Sequence, residues 1–142
     1  MIRHTFKKSE RLTNKKTFDQ LFSSGKSISV FPFRLVWIEI KKDGRVEEWK
    51  NGKQPTFQCL VGISVPKKSF ARAVDRNTLK RRIREGYRKN KHLLYEVLQN
   101  KNHAIALMII YTAKEQLPYS EIEKKMVVSL QKMIAQMGMT ND

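Results

Sequence analysis

The sequence predicts a single α/β domain, residues 1–142, in the order α-β-β-β-α-β-α. Three observations carry that expectation. Runs rich in β-branched and aromatic residues at 28–40 and 56–65 are followed by a segment with a period near 3.6. AIALMIIY, at 104–111, is apolar on both faces, as a central strand is. The strand, helix and strand between 56 and 111 form a crossover unit, which requires one parallel pairing in the sheet.

The elements follow in order. Thr13 or Asn14 can cap a first helix, whose Phe18, Leu21 and Phe22 share one face, and Gly25 suits its end. In ISVFPFRLVWIEI, residues 28–40, Pro32 cannot donate to a ladder, so pairing is expected from Phe33 onward. Asp43-Gly44 and Asn51-Gly52 signal turns around RVEEWK, a short strand or an ordered excursion. TFQCLVGISV, 56–65, is the next strand. Asp75 is the expected cap of a helix with Leu79, Ile83 and Tyr87 on its buried face. Gly86 weakens that helix by about 1 kcal/mol relative to Ala. HLLYEVLQN continues as a second helical stretch. After Pro118, Ser120 and Glu123 form a capping box for a last helix. Its apolar stripe is Ile122, Met126, Leu130, Met133, Ile134 and Met137.

Composition excludes several classes. One cysteine, Cys59, cannot form an internal disulfide, so a reducing compartment, the cytoplasm, is expected. No run approaches the roughly 18 apolar residues of a membrane span, and the basic N-terminus lacks the apolar segment of a secretory signal. His4, His92 and His103 have no metal-ligand spacing with Cys59 or with one another. Gly25-Lys26-Ser27 is similar to the end of a phosphate-binding loop, but Gln20 stands where its first Gly is required. No autonomous catalytic residue and no protein-held metal is expected.

Charge points to the partner. The chain carries 29 Lys+Arg against 13 Asp+Glu, a net +16. Pro66 to Lys91 hold eleven of the basic residues and two acidic ones, so more than half of the net charge lies in under a fifth of the chain. Arg76, Lys80 and Arg84 flank the buried stripe, and Arg81, Arg88 and Lys89 lie further round. Like charges four apart repel, which is tolerable where a polyanion binds. Asn77 adds an amide able to reach sugar or base edges. Nucleic acid is the leading partner and an anionic membrane surface the weaker one.

The string AVDRNTLKRRIREGYR, residues 73–88, resembles the signature of the bacterial ribonuclease P protein family. Arg76, Asn77, Leu79, Lys80, Arg81, Arg84 and Glu85 match it, while Thr78 departs from the usual third basic residue and Arg82 stands beside it as the expected compensation. GISVPKKSFARAV, with Lys67 and Lys68, and RLTNKKTFDQLFSSGKS resemble two further blocks, and the likeness spans about 10–135. The segment Lys41 to Pro55 is longer than is typical.

The resemblance implies an α+β sandwich with a mixed sheet of about four strands and a left-handed βαβ crossover. It implies a subunit of an endoribonuclease, a hydrolase whose catalytic RNA, with Mg2+, removes the 5′ leader of precursor tRNA. Lys67, Lys68, Arg72, Arg76, Asn77, Lys80, Arg81, Arg84 and Arg88 are the expected contacts to the catalytic RNA. Phe18, Phe22, Phe33 and Trp37 are the expected lining of a leader cleft between the first helix and the sheet. The same four rings also suit a hydrophobic core. The rival readings are a ribosomal-type structural RNA binder and a DNA-binding regulator, and the latter would call for a dimer seam that the sequence lacks.

Overall fold

Pro32 sets the first corner of the fold. The computed structural model describes residues 23, 25–40, 59–100 and 104–137. Strand β1 (Lys26–Val30) runs up to the corner and β2 (Phe33–Ile40) runs back from it, paired from Val30↔Phe33 to Lys26↔Trp37. The expectation that pairing starts only at Phe33 is therefore corrected. Proline interrupts the ladder for two residues without preventing the preceding five from joining it, because an edge strand tolerates a missing donor at its turn.

Two further strands, β3 (Cys59–Ser64) and β4 (Ala104–Tyr111), complete a sheet of order β1-β2-β4-β3. β4 lies antiparallel to β2 and parallel to β3, the parallel pairing that the crossover requires. Between β3 and β4 come α1 (Ala73–Asn90) and α2 (His92–Asn100), and α3 (Tyr119–Gln136) follows β4. The described order is thus β-β-β-α-α-β-α. The expected first helix and the RVEEWK strand lie outside the described residues.

Pleating divides the sheet into two unlike faces. Phe33, Leu35 and Trp37 stand opposite Tyr111, Ile109 and Leu107, with Val61 and Cys59 alongside. This face packs on Leu79, Ile83 and Tyr87 of α1, Leu94 and Leu98 of α2, and Ile122, Met126, Leu130, Met133 and Ile134 of α3. The other face carries Arg34, Val36 and Ile38, opposite Ile110, Met108 and Ala106, then Ser64, Gly62 and Leu60. Val36, Leu60, Ala106 and Met108 are buried without joining the helix-packed core.

Both expected helix caps are corrected. α1 starts at Ala73 after Arg72, with no side-chain cap, so Asp75 falls inside the first turn, where its charge favours the helix dipole. The Arg76 guanidinium instead ties the incoming loop to the first turn, Nη1 donating to the carbonyls of Phe70 at 2.8 Å and Ala71 at 2.9 Å. α3 starts at Tyr119 after Pro118, again without a side-chain cap, which puts Ser120 two residues past the cap position that a capping box requires.

Gly86 is buried where α1 crosses α3, and a Cβ there would meet the Glu123 Cα at 3.5 Å, an ordinary contact. Gly86→Ala is expected to gain roughly 0.5–1 kcal/mol from helix propensity. Gly86→Leu, which would overfill the crossing, should lose roughly 1–3 kcal/mol. Urea unfolding midpoints of the two variants check the opposite signs.

Candidate nucleic-acid interface

Helix α1 builds a basic crest from simple periodicity. At 3.6 residues per turn, Ile83, Gly86 and Tyr87 fall within about 80° of Leu79. All four are buried against the sheet and α3. Asn77, Arg81, Arg84 and Arg88 fall about 140–200° away, on the outer side, over roughly 16 Å of helix. Asn77, Arg81 and Arg84 are exposed. Arg76 and Lys80 sit on one shoulder, half-buried, and Lys67, Lys68 and Arg72 are exposed in the connection leading into the helix.

The basic residues of the run do not all face outward. The Arg82 Nη1 donates to the Leu117 carbonyl at 2.8 Å, tying α1 to the segment before α3. This corrects its expected role as a substitute for a basic residue at 78, since its guanidinium has a structural partner on the far shoulder. Thr78 folds its hydroxyl back on its own helix, donating to the Val74 carbonyl at 2.9 Å. Lys89 lies 5.6 Å above the Tyr119 ring. Lys91 is 3% exposed, its ammonium 5.1 Å from the Tyr95 ring. The Arg88 Nε donates to Glu85 Oε1 at 2.8 Å, and Nη2 reaches the same oxygen, so part of its charge is neutralised locally. The outward positive surface is accordingly narrower than the count of basic residues suggests, and it centres on Arg81 and Arg84.

The aromatic cleft residues fare differently. Phe33 and Trp37 are 1% and 2% exposed, inside the helix-packed core. Neither offers a ring face to a nucleobase, so their placement in a leader cleft is corrected. Phe18 and Phe22 lie outside the described residues. Alternation is the physical reason for the correction. A strand residue and its neighbour point to opposite sides, so choosing the odd-numbered set in β2 chose the core face. The residues on the other face that sequence reasoning missed are Arg34, exposed between the apolar positions Phe33 and Leu35, and half-buried Ile38 and Ile110. The signal for Arg34 was a charge at an even-numbered position within an apolar strand.

Among the described residues, no three His, Cys, Asp or Glu side chains gather into a group that could hold a metal ion, and no helix is long and apolar enough to cross a membrane. His92 and buried Cys59 stand apart from any such cluster, and His4 and His103 lie outside the described residues.

Comparison with known proteins places this geometry. The Ribonuclease P family model matches residues 6–134. A ribonuclease P protein component of Porphyromonas gingivalis is 35% identical over 123 residues, covering 87% of this chain and 82% of the relative. One from Legionella pneumophila is 34% identical over 83 residues, covering 58% of this chain and 60% of the relative. Among solved structures, the Staphylococcus aureus RNase P protein shares the fold at a TM-score of 0.61 and 21% identity, covering 87% of this chain and 94% of that one. The RNase P protein from Thermotoga maritima does so at 0.60 and 25%, covering 87% and 96%. With a family match over nearly the whole length and the same four-stranded α+β fold, this chain belongs to the ribonuclease P protein family, the protein component of the endoribonuclease that matures tRNA 5′ ends through its RNA subunit.

Proposed function

We propose that the crest of α1 docks the catalytic RNA and that the sheet face opposite the helices receives the single-stranded leader of precursor tRNA. The observation that supports the first part is the outward stripe of Asn77, Arg81 and Arg84 beside Lys67, Lys68, Arg72, Arg76 and Lys80. Cations spaced along a rigid rod suit successive phosphates, and an amide among them suits sugar or base edges. The second part rests on the accessible residues of that face, exposed Arg34 and half-buried Ile38 and Ile110, a cation beside apolar side chains. Single strands are held by such combinations of apolar contact and positive charge. In this reading Mg2+ is bound mainly by the phosphates of the RNA partner. The cytoplasm is the proposed site of action.

Reconstitution tests the reading. Added to ribonuclease P RNA at low magnesium, the protein is expected to stimulate cleavage of precursor tRNA, and more so for substrates with a leader of several nucleotides than for those with one. Absence of stimulation would favour a purely structural RNA-binding role.

A further inference from the structure

Phe31 is the most exposed large apolar side chain among the described residues, at 66%. It stands at the corner between β1 and β2, and its position is held firmly. Pro32 behind it is buried, and the Thr112 N–H donates to the Pro32 carbonyl at 2.7 Å, fastening the corner to the end of β4. Phe33 beyond it packs edge-on against Tyr111 at 6.2 Å, and Tyr111 packs against Phe70 at 5.9 Å. The ring is thus presented to solvent from a rigid base.

The strand register shows what else lies at that end. A single row crosses the outer sheet face through Ser29, Arg34, Ile110 and Ser64. Beyond Ser64 the chain passes through Val65 and Pro66 to the exposed Lys67 and Lys68. Four strands at about 4.8 Å spacing put the two ends of that row roughly 14 Å apart. A flat aromatic face therefore stands at one end, a guanidinium close by, and two ammonium groups beyond the other end. Isolated exposed apolar residues need no explanation. An anchored aromatic ring, with a guanidinium on the neighbouring strand and two ammonium groups past the far end of the row, has the composition of a single-strand platform, where a base stacks and the backbone runs toward the charge.

We infer that Phe31 is a stacking platform for an unpaired base of the precursor leader, at the end of the sheet row that leads from Arg34 toward Lys67. The inference rests on the leader reading above and adds a contact outside the sheet face itself. Stacking requires a base with a free face, which a single-stranded leader offers. The platform reads no base identity, because every base has a π-face, so it confers preference for leader length rather than sequence.

The test uses the reconstituted holoenzyme and a series of precursor tRNAs whose leaders run from one to about ten nucleotides. Phe31→Ala is expected to weaken binding of the long-leader substrates roughly tenfold, the range of one stacked base. Substrates with a one-nucleotide leader should bind it as they bind the unaltered protein. Phe31→Tyr and Phe31→Trp should restore the dependence and Phe31→Leu should not, which separates stacking from mere apolar contact. Val128→Ala, which removes an exposed apolar side chain on α3, is the control. No change at any leader length, or an equal loss at all lengths, overturns the inference. If the unaltered holoenzyme itself shows no leader-length dependence, the leader reading fails first and the platform with it.

Discussion

Replacing Arg81 and Arg84 together by alanine is expected to weaken binding to ribonuclease P RNA roughly 10- to 100-fold near physiological salt, without lowering stability. Both side chains are exposed at the outermost part of α1, away from Leu79 and Ile83. Surface changes of this kind shift stability by about 0.5 kcal/mol or less, and removing two like charges three residues apart slightly relieves repulsion. A charge-assisted hydrogen bond to phosphate contributes about 1.5–3 kcal/mol, and each 1.4 kcal/mol is tenfold in affinity, before losses to screening. Each lost phosphate contact should also reduce the slope of log affinity against log salt by about one unit, so the double variant should lose about two. Arg76→Ala is the informative contrast. Its guanidinium bonds to the Phe70 and Ala71 carbonyls, so that variant should lose melting temperature as well as affinity. Binding titrations at several salt concentrations, paired with thermal melts, separate the two behaviours. A salt slope unchanged in the double variant would remove the crest from the interface.

Tyr111→Phe should have the largest effect on stability at neutral pH for a change of one atom. The Tyr111 hydroxyl donates to the Glu115 carbonyl at 2.6 Å and accepts from the Leu117 N–H at 3.1 Å. It thereby organises the segment between β4 and α3, and the Leu117 carbonyl in turn receives Arg82. Losing both bonds while leaving their partners in place should cost about 2 kcal/mol, or roughly 6 °C in melting temperature. The alkaline limb adds a second readout. Burial is the leading cause that raises the Tyr111 pKa above 10.0, opposed by the Leu117 hydrogen bond and the Arg82 charge. The unfolded chain then releases this proton at a lower pH than the folded one. The stabilising contribution is complete below about pH 10 and is lost as pH climbs through the folded value. Tyr119, also raised chiefly by burial, acts in the same direction. Tyr111→Phe should therefore start lower at pH 7 and fall less steeply above pH 10. Urea midpoints from pH 7 to 11 check this, and an equally steep alkaline fall in both proteins would refute the assignment.

The elements legible in the sequence were those whose pattern is strong and local. AIALMIIY reads as a central strand because it is apolar on both faces, and β4 does pair on both sides. Leu79, Ile83 and Tyr87 read as one face of a helix, and all three are buried. The caps were misplaced because Asp75 and Ser120 carry the right chemistry one or two residues inside the true starts. Arg76, with no capping signature, takes up the free carbonyls before α1. β1 is not legible apart from β2 because Pro32, inside the run 28–40, argues against pairing of the residues before it, although KSISV does alternate as an edge strand can.

The candidate site divides along the same line. Charge density and the spacing of Arg81 and Arg84 follow from the order of residues alone, since a helix converts spacing directly into direction. The sign of a strand's face does not. Nothing local in FRLVWIEI says which alternate set meets the helices, and only the pairing with β4 and the packing of α1 and α3 assign Phe33 and Trp37 to the core and Arg34 and Val36 to the other side. The same applies to Arg82, Arg88 and Lys91. Their composition is cationic, but contacts with Leu117, Glu85 and Tyr95 decide how much of that charge a partner can meet. Sequence determined that this protein is a strongly basic α/β domain of the ribonuclease P protein family. Tertiary structure decided which of its cations and rings are available, because availability depends on neighbours distant in the chain.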